Sequence, residues 1–517
     1  MRSRRVIVIG AGIGGLVSAL LLAARGLDVI VLERAATPGG KMRRVAVDGA
    51  LVDSGPTVFT MRWILEQIFQ AAGTSLANEV KLSPLDMLAR HAWRKNERLD
   101  LFADVARSTD AIGQFAGASE AKRFVRFCAE ARRVYQTLEG PYIRSAKPTL
   151  ASLPLRLGTS GLGVLASLGP FATMWRRLSR HFHDYRLQQL FARYATYCGS
   201  SPFAAPATLM LVAQVEMDGV WSVDGGMHAV ANAAASLAER RGASLRYNQH
   251  CAEILVTNGH ASGVRLASGE EVHADFVVFN GDVNALASGM LGDAARSAVR
   301  AVPLRKRSLS AITWSINART SGFPLERHNV FFANDYANEF RDIFKHHRLP
   351  ENATVYVCAQ DRGGTSEISR STAERLLCLV NAPAIGDVRP LSRHLSQAEI
   401  DRCERTSFHL LHQCGLTIDR QPHNTVLTTP RDWNNLFPAT GGALYGAASH
   451  GWMSAFSRPS STSKLPGLYL AGGSAHPGPG VPMAAMSGQL AAATLMAHLD
   501  STRQFHPVAT SGGMSMP

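Results

Sequence analysis

Gly10, Gly12 and Gly15 stand in a G-x-G-x-x-G pattern, with Gly14 beside the last of them. That spacing suits the holding of a pyrophosphate. Gly10 permits a tight turn, Gly12 lets backbone approach the phosphates, and Gly15 lets a helix sit close to the strand before it. The first N–H groups of such a helix, together with its dipole, offer partial positive charge to an anion. Glu33 falls where an acidic side chain would bind ribose hydroxyls. These residues predict a site for an adenine dinucleotide.

A lone glycine pattern says little; here the elements that must position it are present. The apolar run 6–9 reads as a strand, an alanine- and leucine-rich stretch to about residue 24 as a helix, and 28–32 as a second strand ending at Glu33. A glycine pair follows, Gly39-Gly40-Lys41, which lets backbone come close to a second part of a large ligand. Two short extended pieces over 48–60 would bring Asp53-Ser54-Gly55-Pro56 back to it. The C-terminal part repeats the theme. A strand over 468–471 runs into Gly472-Gly473, and a helix over 484–499 follows Val481-Pro482-Met483. Helix-start N–H groups there suit an electron-rich edge of a large ligand. Either glycine-rich segment could be a turn without a ligand; their pairing favours one shared ligand.

The stretch 34–42 resembles the extended motif of flavoproteins in the amine oxidase and carotenoid desaturase group, which implies FAD rather than NAD. The Asp53-Ser54-Gly55-Pro56-Thr57-Val58 segment is similar to the D-x-G-P-T-V of phytoene-type carotenoid desaturases, and the resemblance runs over about the first 500 residues. It implies an α/β fold: a Rossmann-like FAD-binding domain of glutathione-reductase and amine-oxidase type, with an interleaved α+β substrate domain and a helical, membrane-facing subdomain. The expected division is 1–75, 220–285 and 440–500 for FAD, 76–109 and 286–439 for substrate, 110–219 for the helical part, and a flexible tail over 501–517. In flavoproteins of this type, backbone at 252–254, with Ile254, would meet the adenine end. Where this family usually shows a triple glycine after His-Pro and a glycine after Val-Pro, the chain has Gly478-Pro479-Gly480 and Met483. With the blocks 88–93 and 191–199, it looks most like the branch that inserts a 3,4 double bond into 1-hydroxylated acyclic carotenoids. That branch belongs to the carotenoid biosynthesis of photosynthetic purple bacteria.

Desaturation removes a hydride to the flavin and a proton from the neighbouring carbon. The polyene itself spreads the developing charge, so the protein's tasks are to position the C–H bond and exclude water. Glu216 and His450 are candidates to accept the proton, and Arg193 and Tyr194 to face a substrate tunnel; structural roles are open for all four. His91 and Trp93 read as core or rim residues, with a place along the tunnel as the alternative. The other readings of the same motifs are a phytoene-type desaturase, a carotenoid isomerase or saturase, or a non-catalytic lipid carrier. Reoxidation implies oxygen or a quinone, because only one dinucleotide fingerprint is present.

Composition sets the remaining bounds. The chain has 517 residues, enough for two or three domains, and a formal net charge of +14. Its arginines are scattered, with no nucleic-acid module, which favours a bilayer surface over nucleic acid as partner. Residues 150–175 are unusually apolar and are followed by Arg176, Arg177, Arg180, His181 and His183, a pattern suited to dipping into a bilayer or to a buried helical hairpin. Pro154 and Pro170 argue against a spanning helix. The expected location is the cytoplasm, peripherally attached to the inner membrane. Seven cysteines with no C-x-x-C pair fit a reducing compartment, and no metal-ligand set is visible.

Overall fold

The computed structural model describes residues 4–504 apart from 95–96, 147, 150, 170, 364–371 and 391–393. The two apolar runs at the N-terminus form adjacent parallel strands, Arg5–Ile9 and Asp28–Leu32, in register Val8 to Val31. Three more parallel strands complete the sheet, in the order Leu468–Leu470, Phe276–Phe279, Arg5–Ile9, Asp28–Leu32, Ser244–Arg246. Strands covered on both faces need apolar side chains at every position, and these two runs have them. Val6, Val8, Val29 and Val31 pack toward the helices Ile13–Ala23, Met227–Arg240 and Val481–Gln504. Ile7, Ile9, Ile30 and Leu32 pack the other way, against the antiparallel strands Cys251–Thr257, His260–Leu266 and Glu271–His273.

A seven-stranded sheet lies elsewhere in the chain, with strand order Thr425–Thr428, Ser310–Ala318, Glu374–Ala382, Val355–Ala359, His328–Phe331, Met87–Ala92, Arg98–Phe102. Ser310–Ala318 and Val355–Ala359 are interior to it. All its pairs are antiparallel except His328–Phe331 with Met87–Ala92. One face buries Ile312, Trp314 and Ile316 against Ile400, Cys403 and Leu410 of the helix Gln397–Gln413. The other buries Val330, Tyr356 and Leu377 in a cluster with Phe124, Phe127, Phe182 and Phe191 of the helical region.

That region holds the helices Val105–Ala116, Ala118–Leu138, Ser152–Leu168, Met174–His181, Tyr185–Ala192 and Leu211–Met217. Asp104 and Thr173 cap two of them by accepting the first free N–H groups. Ser152–Leu168 is broken at Gly158, whose φ of 62° is left-handed. No helix among the described residues is long and apolar enough to cross a membrane. Leu150 and Pro170, at the edges of the apolar stretch, lie outside the described residues. The basic flank is smaller than its composition suggests. Arg177 and His181 both contact Glu130, at 2.6 and 3.0 Å, leaving Arg176, Arg180 and His183 exposed. The last helix runs to Gln504, past the point where a tail was expected, and 505–517 lie outside the described residues.

Candidate functional site

The first strand ends at Ile9, and Gly10, with φ 95°, turns the chain into the helix Ile13–Ala23. The first bond of that helix is Leu16 N–H to Gly12 O at 2.9 Å, and no side chain caps the N–H groups ahead of it. They are available to an anion. A Cβ at Gly15 would overlap Gly10 O, so the close packing of helix on strand requires glycine there. Gly14 is set by a contact of its own. A Cβ there would lie 2.8 Å from Gly472 N and 2.9 Å from Ala484 O, so it serves the approach of the C-terminal segment. Glu33 is buried; its carboxylate accepts from Ala11 N–H at 2.7 Å and from Ala35 N–H at 2.8 Å. Each oxygen keeps a further lone pair for a ribose hydroxyl.

The second glycine pair joins the first directly. Gly39 N–H donates to Ala11 O at 2.8 Å, and Gly40, with φ 57°, lies against Gly12. Lys41 is buried and donates from Nζ to Leu444 O at 2.5 Å; burial lowers its pKa while Asp282 raises it. A Cβ at Gly55 would overlap Lys41 O, which seats Gly55 and Pro56 against the same loop. From the far end of the chain come Gly472, with φ 101° and beside Asn280, and Gly473. Val481, Pro482 and Met483 open the last helix. Asn280 is the shared post: its side chain donates to Gly10 O at 3.2 Å and stands next to the Cα positions of Gly12, Gly14 and Gly472. Asn280 directly follows the strand Phe276–Phe279, and no motif in the sequence marks it for this role. Arg458 was missed altogether. Buried, with its pKa lowered by burial, it donates to the carbonyls of Tyr445, Ala447 and Gly473 at 3.1, 2.7 and 3.0 Å.

Ile254 is the residue expected near the adenine end. Its N–H is taken by Leu291 O at 2.9 Å and its side chain is buried in the core. The strand slips register between Cys251 and Glu253, and Cys251 lies close enough to Glu33 for that carboxylate to raise its pKa.

A cavity of about 730 Å³ starts at Gly55, Pro56 and Val481–Met483 and runs between apolar walls to Leu153, Leu157, Leu165 and Trp452. Glu216 lines it, buried, and accepts from the hydroxyls of Tyr194 and Tyr197 at 2.7 Å each. Burial pushes its pKa up, against the pull of both tyrosines and of Arg193; both tyrosines are held well above their usual value by burial. Arg193 also lines the cavity. Tyr194 does not reach the main cavity and acts through Glu216. His450 is the second candidate to accept the proton. Its Nε2 lone pair accepts the Ser201 N–H at 3.0 Å, and burial lowers its pKa to about 4. His91 and Trp93 are core residues: His91 Nδ1 meets Leu99 O and Trp93 Nε1 donates to Gln189.

The donors and the shape fit a flavin dinucleotide. An uncapped helix start faces a pyrophosphate position beside a buried carboxylate, and a second helix start meets the cavity. The model of the flavin containing amine oxidoreductase family matches residues 13–496, and the chain belongs to that family. It is an FAD-dependent oxidoreductase. Among similar proteins, the hydroxyneurosporene desaturase of Rubrivivax gelatinosus is 65% identical over 517 residues, covering 100% of this chain and 97% of its own. The hydroxyneurosporene desaturase of Cereibacter sphaeroides is 43% identical, covering 96% and 98%. In fold, the chain is similar to an oxidoreductase from Methanosarcina mazei, with TM-score 0.60 and 15% identity over 95% of this chain and 100% of that one. It is similar also to a putrescine oxidase, with TM-score 0.58 and 15% identity over 96% and 99%.

Proposed function

We propose that the protein introduces the C3–C4 double bond into 1-hydroxylated acyclic carotenoids, a step of carotenoid biosynthesis. The observation that carries this reading is the long apolar cavity leading from the Gly55–Pro56 loop to the leucines of Ser152–Leu168. The 65% identity to a hydroxyneurosporene desaturase over the whole chain supports the choice of substrate.

The N–H groups around Gly12 and Gly15, at the start of Ile13–Ala23, would hold the pyrophosphate, and Glu33 the ribose. Gly39, Gly40, Gly55 and Pro56 would line the flavin, and the helix start at Val481–Met483 would offer its N–H groups to the electron-rich part of the ring. FAD held there would supply the hydride acceptor for the allylic carbon C4. The chain's residues do the rest. Apolar walls exclude water and align the polyene, which raises the effective concentration of the reacting bond. Glu216, held by two tyrosine hydroxyls, takes the proton leaving C3; a buried carboxylate with a raised pKa is a stronger base than a free one.

The far end of the cavity meets the lipid. Leu155 is 85% exposed and Phe171 77%, with Leu162, Trp452 and Met453 exposed beside them. Leu162 and Trp452 also line the cavity, so a carotenoid passes from bilayer to flavin without crossing water. The exposed Arg176 and Arg180 meet anionic headgroups. The enzyme thus works peripherally on the cytoplasmic face of the inner membrane, with oxygen or a quinone reoxidising the flavin.

The test mixes the FAD-loaded protein anaerobically with liposomes carrying 1-hydroxyneurosporene, or phytoene in parallel. Flavin bleaching with a red shift of the polyene on the hydroxylated substrate alone is the expected result. Reaction with phytoene alone moves the protein to the phytoene-type branch. No reaction with either, flavin bound, moves it to the isomerase or carrier readings.

A further inference from the structure

The cavity is apolar along most of its length, yet the wall next to Gly55 and Pro56 carries a buried polar group of a different kind. Thr57 Oγ1 and Tyr356 hydroxyl are 2.7 Å apart, and the same hydroxyl is 2.7 Å from His328 Nδ1. Thr57, Tyr356 and Arg193 all line the cavity. The Arg193 guanidinium stands 5.3 Å from the centre of the Tyr356 ring. Among the described residues it forms no hydrogen bond and no ion pair, and its Nε is fully buried without a partner. His328 Nε2 is likewise buried without one.

A guanidinium taken out of water without an acceptor costs several kcal/mol, and the fold places this one in a wall otherwise suited to hydrocarbon. Five N–H donors with no acceptor of their own call for an oxygen from the ligand. The substrate class proposed above has one such oxygen, on C1. Three bonds of about 1.5 Å separate it from C3 and a fourth from C4, so it travels within about 4 to 5 Å of the carbons whose C–H bonds break. When those bonds lie against the flavin beside Pro56, the oxygen lies at Thr57, Tyr356 and Arg193. We infer that Arg193 and Tyr356 bind the C1 oxygen of the substrate and select for it, with Thr57 and His328 fixing the Tyr356 hydroxyl.

The placement agrees with the chemistry. Because a guanidinium only donates, an ether oxygen is accepted as well as a hydroxyl, and a chain lacking any C1 oxygen leaves Arg193 buried without an acceptor. Sites built to bond a polar group reject the analogue without it far more strongly than apolar pockets reject a missing methylene.

This inference rests on the desaturase reading, and the test separates the two. The kcat/KM for 1-hydroxyneurosporene is divided by that for neurosporene, which lacks the oxygen, in liposomes. The wild type is expected to favour the hydroxylated substrate. Arg193→Met and Tyr356→Phe are each expected to cut the ratio by about 10- to 100-fold, with Arg193→Lys recovering part of it. Flavin absorbance and Tm report folding. Tyr356→Phe removes a single oxygen and reads the ratio even where Arg193→Met loses its flavin. A wild type that desaturates both substrates equally overturns the inference and leaves desaturation standing. So does an unchanged ratio in flavin-loaded variants. A wild type inert toward both overturns the desaturase reading, and this inference with it.

Discussion

Glu216 shows how burial and partners divide the work at one residue. Burial raises its pKa above the usual 4.5, and it must be ionised to accept a proton. The rate therefore climbs with pH along a limb centred above the ordinary carboxylate range. Glu216→Gln is expected to lower kcat by about 100-fold and to flatten that limb, read from the pH dependence of flavin reduction. Stability moves in the opposite sense. A folded pKa above the unfolded one means that the folded state holds the proton more tightly, so stability falls as pH rises through the folded value. The difference in Tm between Glu216→Gln and wild type is expected to shift in the variant's favour from pH 5 to pH 8. A constant difference, with the limb retained, would return Glu216 to a structural role.

Between elements, the decisive contact is that of the first helix with the last. Ser18 Oγ donates to Gly14 O at 2.9 Å within its helix and to Gly488 O at 3.0 Å across the interface. A Cβ at Gly488 would overlap Gly14 O, so the two backbones touch only because both residues are glycine. Gly488→Ala is expected to cost about 1–3 kcal/mol, seen by denaturant unfolding, and to weaken FAD binding, since the helices carry opposite ends of the site. The kinked helix Ser152–Leu168 makes a separate claim. Its exposed Leu155 and the neighbouring Phe171 are worth about 1.5–3 kcal/mol each when buried in lipid. The double variant Leu155→Glu, Phe171→Glu is expected to lose at least tenfold in binding to anionic vesicles while keeping its flavin. Sedimentation with the vesicles reads this, and full binding by the variant would remove the helix from the membrane-facing surface.

Across the whole molecule, the cofactor is the bond between distant parts of the chain. The segments 10–15, 39–41, 55–56, 280–282 and 472–483 converge on one place, and Arg458 and Lys41 tie their loops by backbone carbonyls. A ligand that binds only this assembled form stabilises it by about 2.7 kcal/mol at 100 times its Kd. Stripping FAD is expected to lower Tm by several degrees, with re-addition restoring it. Limited proteolysis should then cut first in the loops around 440–480. An apo protein with the holo Tm would mean that the ends associate without the cofactor.

What the sequence determined by itself was local in origin. Alternating core faces of a parallel sheet, a glycine at each close approach and an acid at the end of the second strand are consequences of chain geometry within some forty residues. They were legible without a third dimension, as were the family and the C-terminal glycine segment that matches the first. The tertiary structure alone decided the rest, because those features depend on partners hundreds of residues away. Gly14 serves the last helix, Asn280 holds the glycine turns together, and the lone pair of His450 is spent on Ser201. Ile254 gives up its N–H to Leu291, and Glu216 meets two tyrosines while Arg193 meets no acceptor among the described residues. No spacing along the chain encodes which polar atom goes unpaired in the core. Packing selects that atom, and here packing left a guanidinium facing the cavity beside the flavin loop.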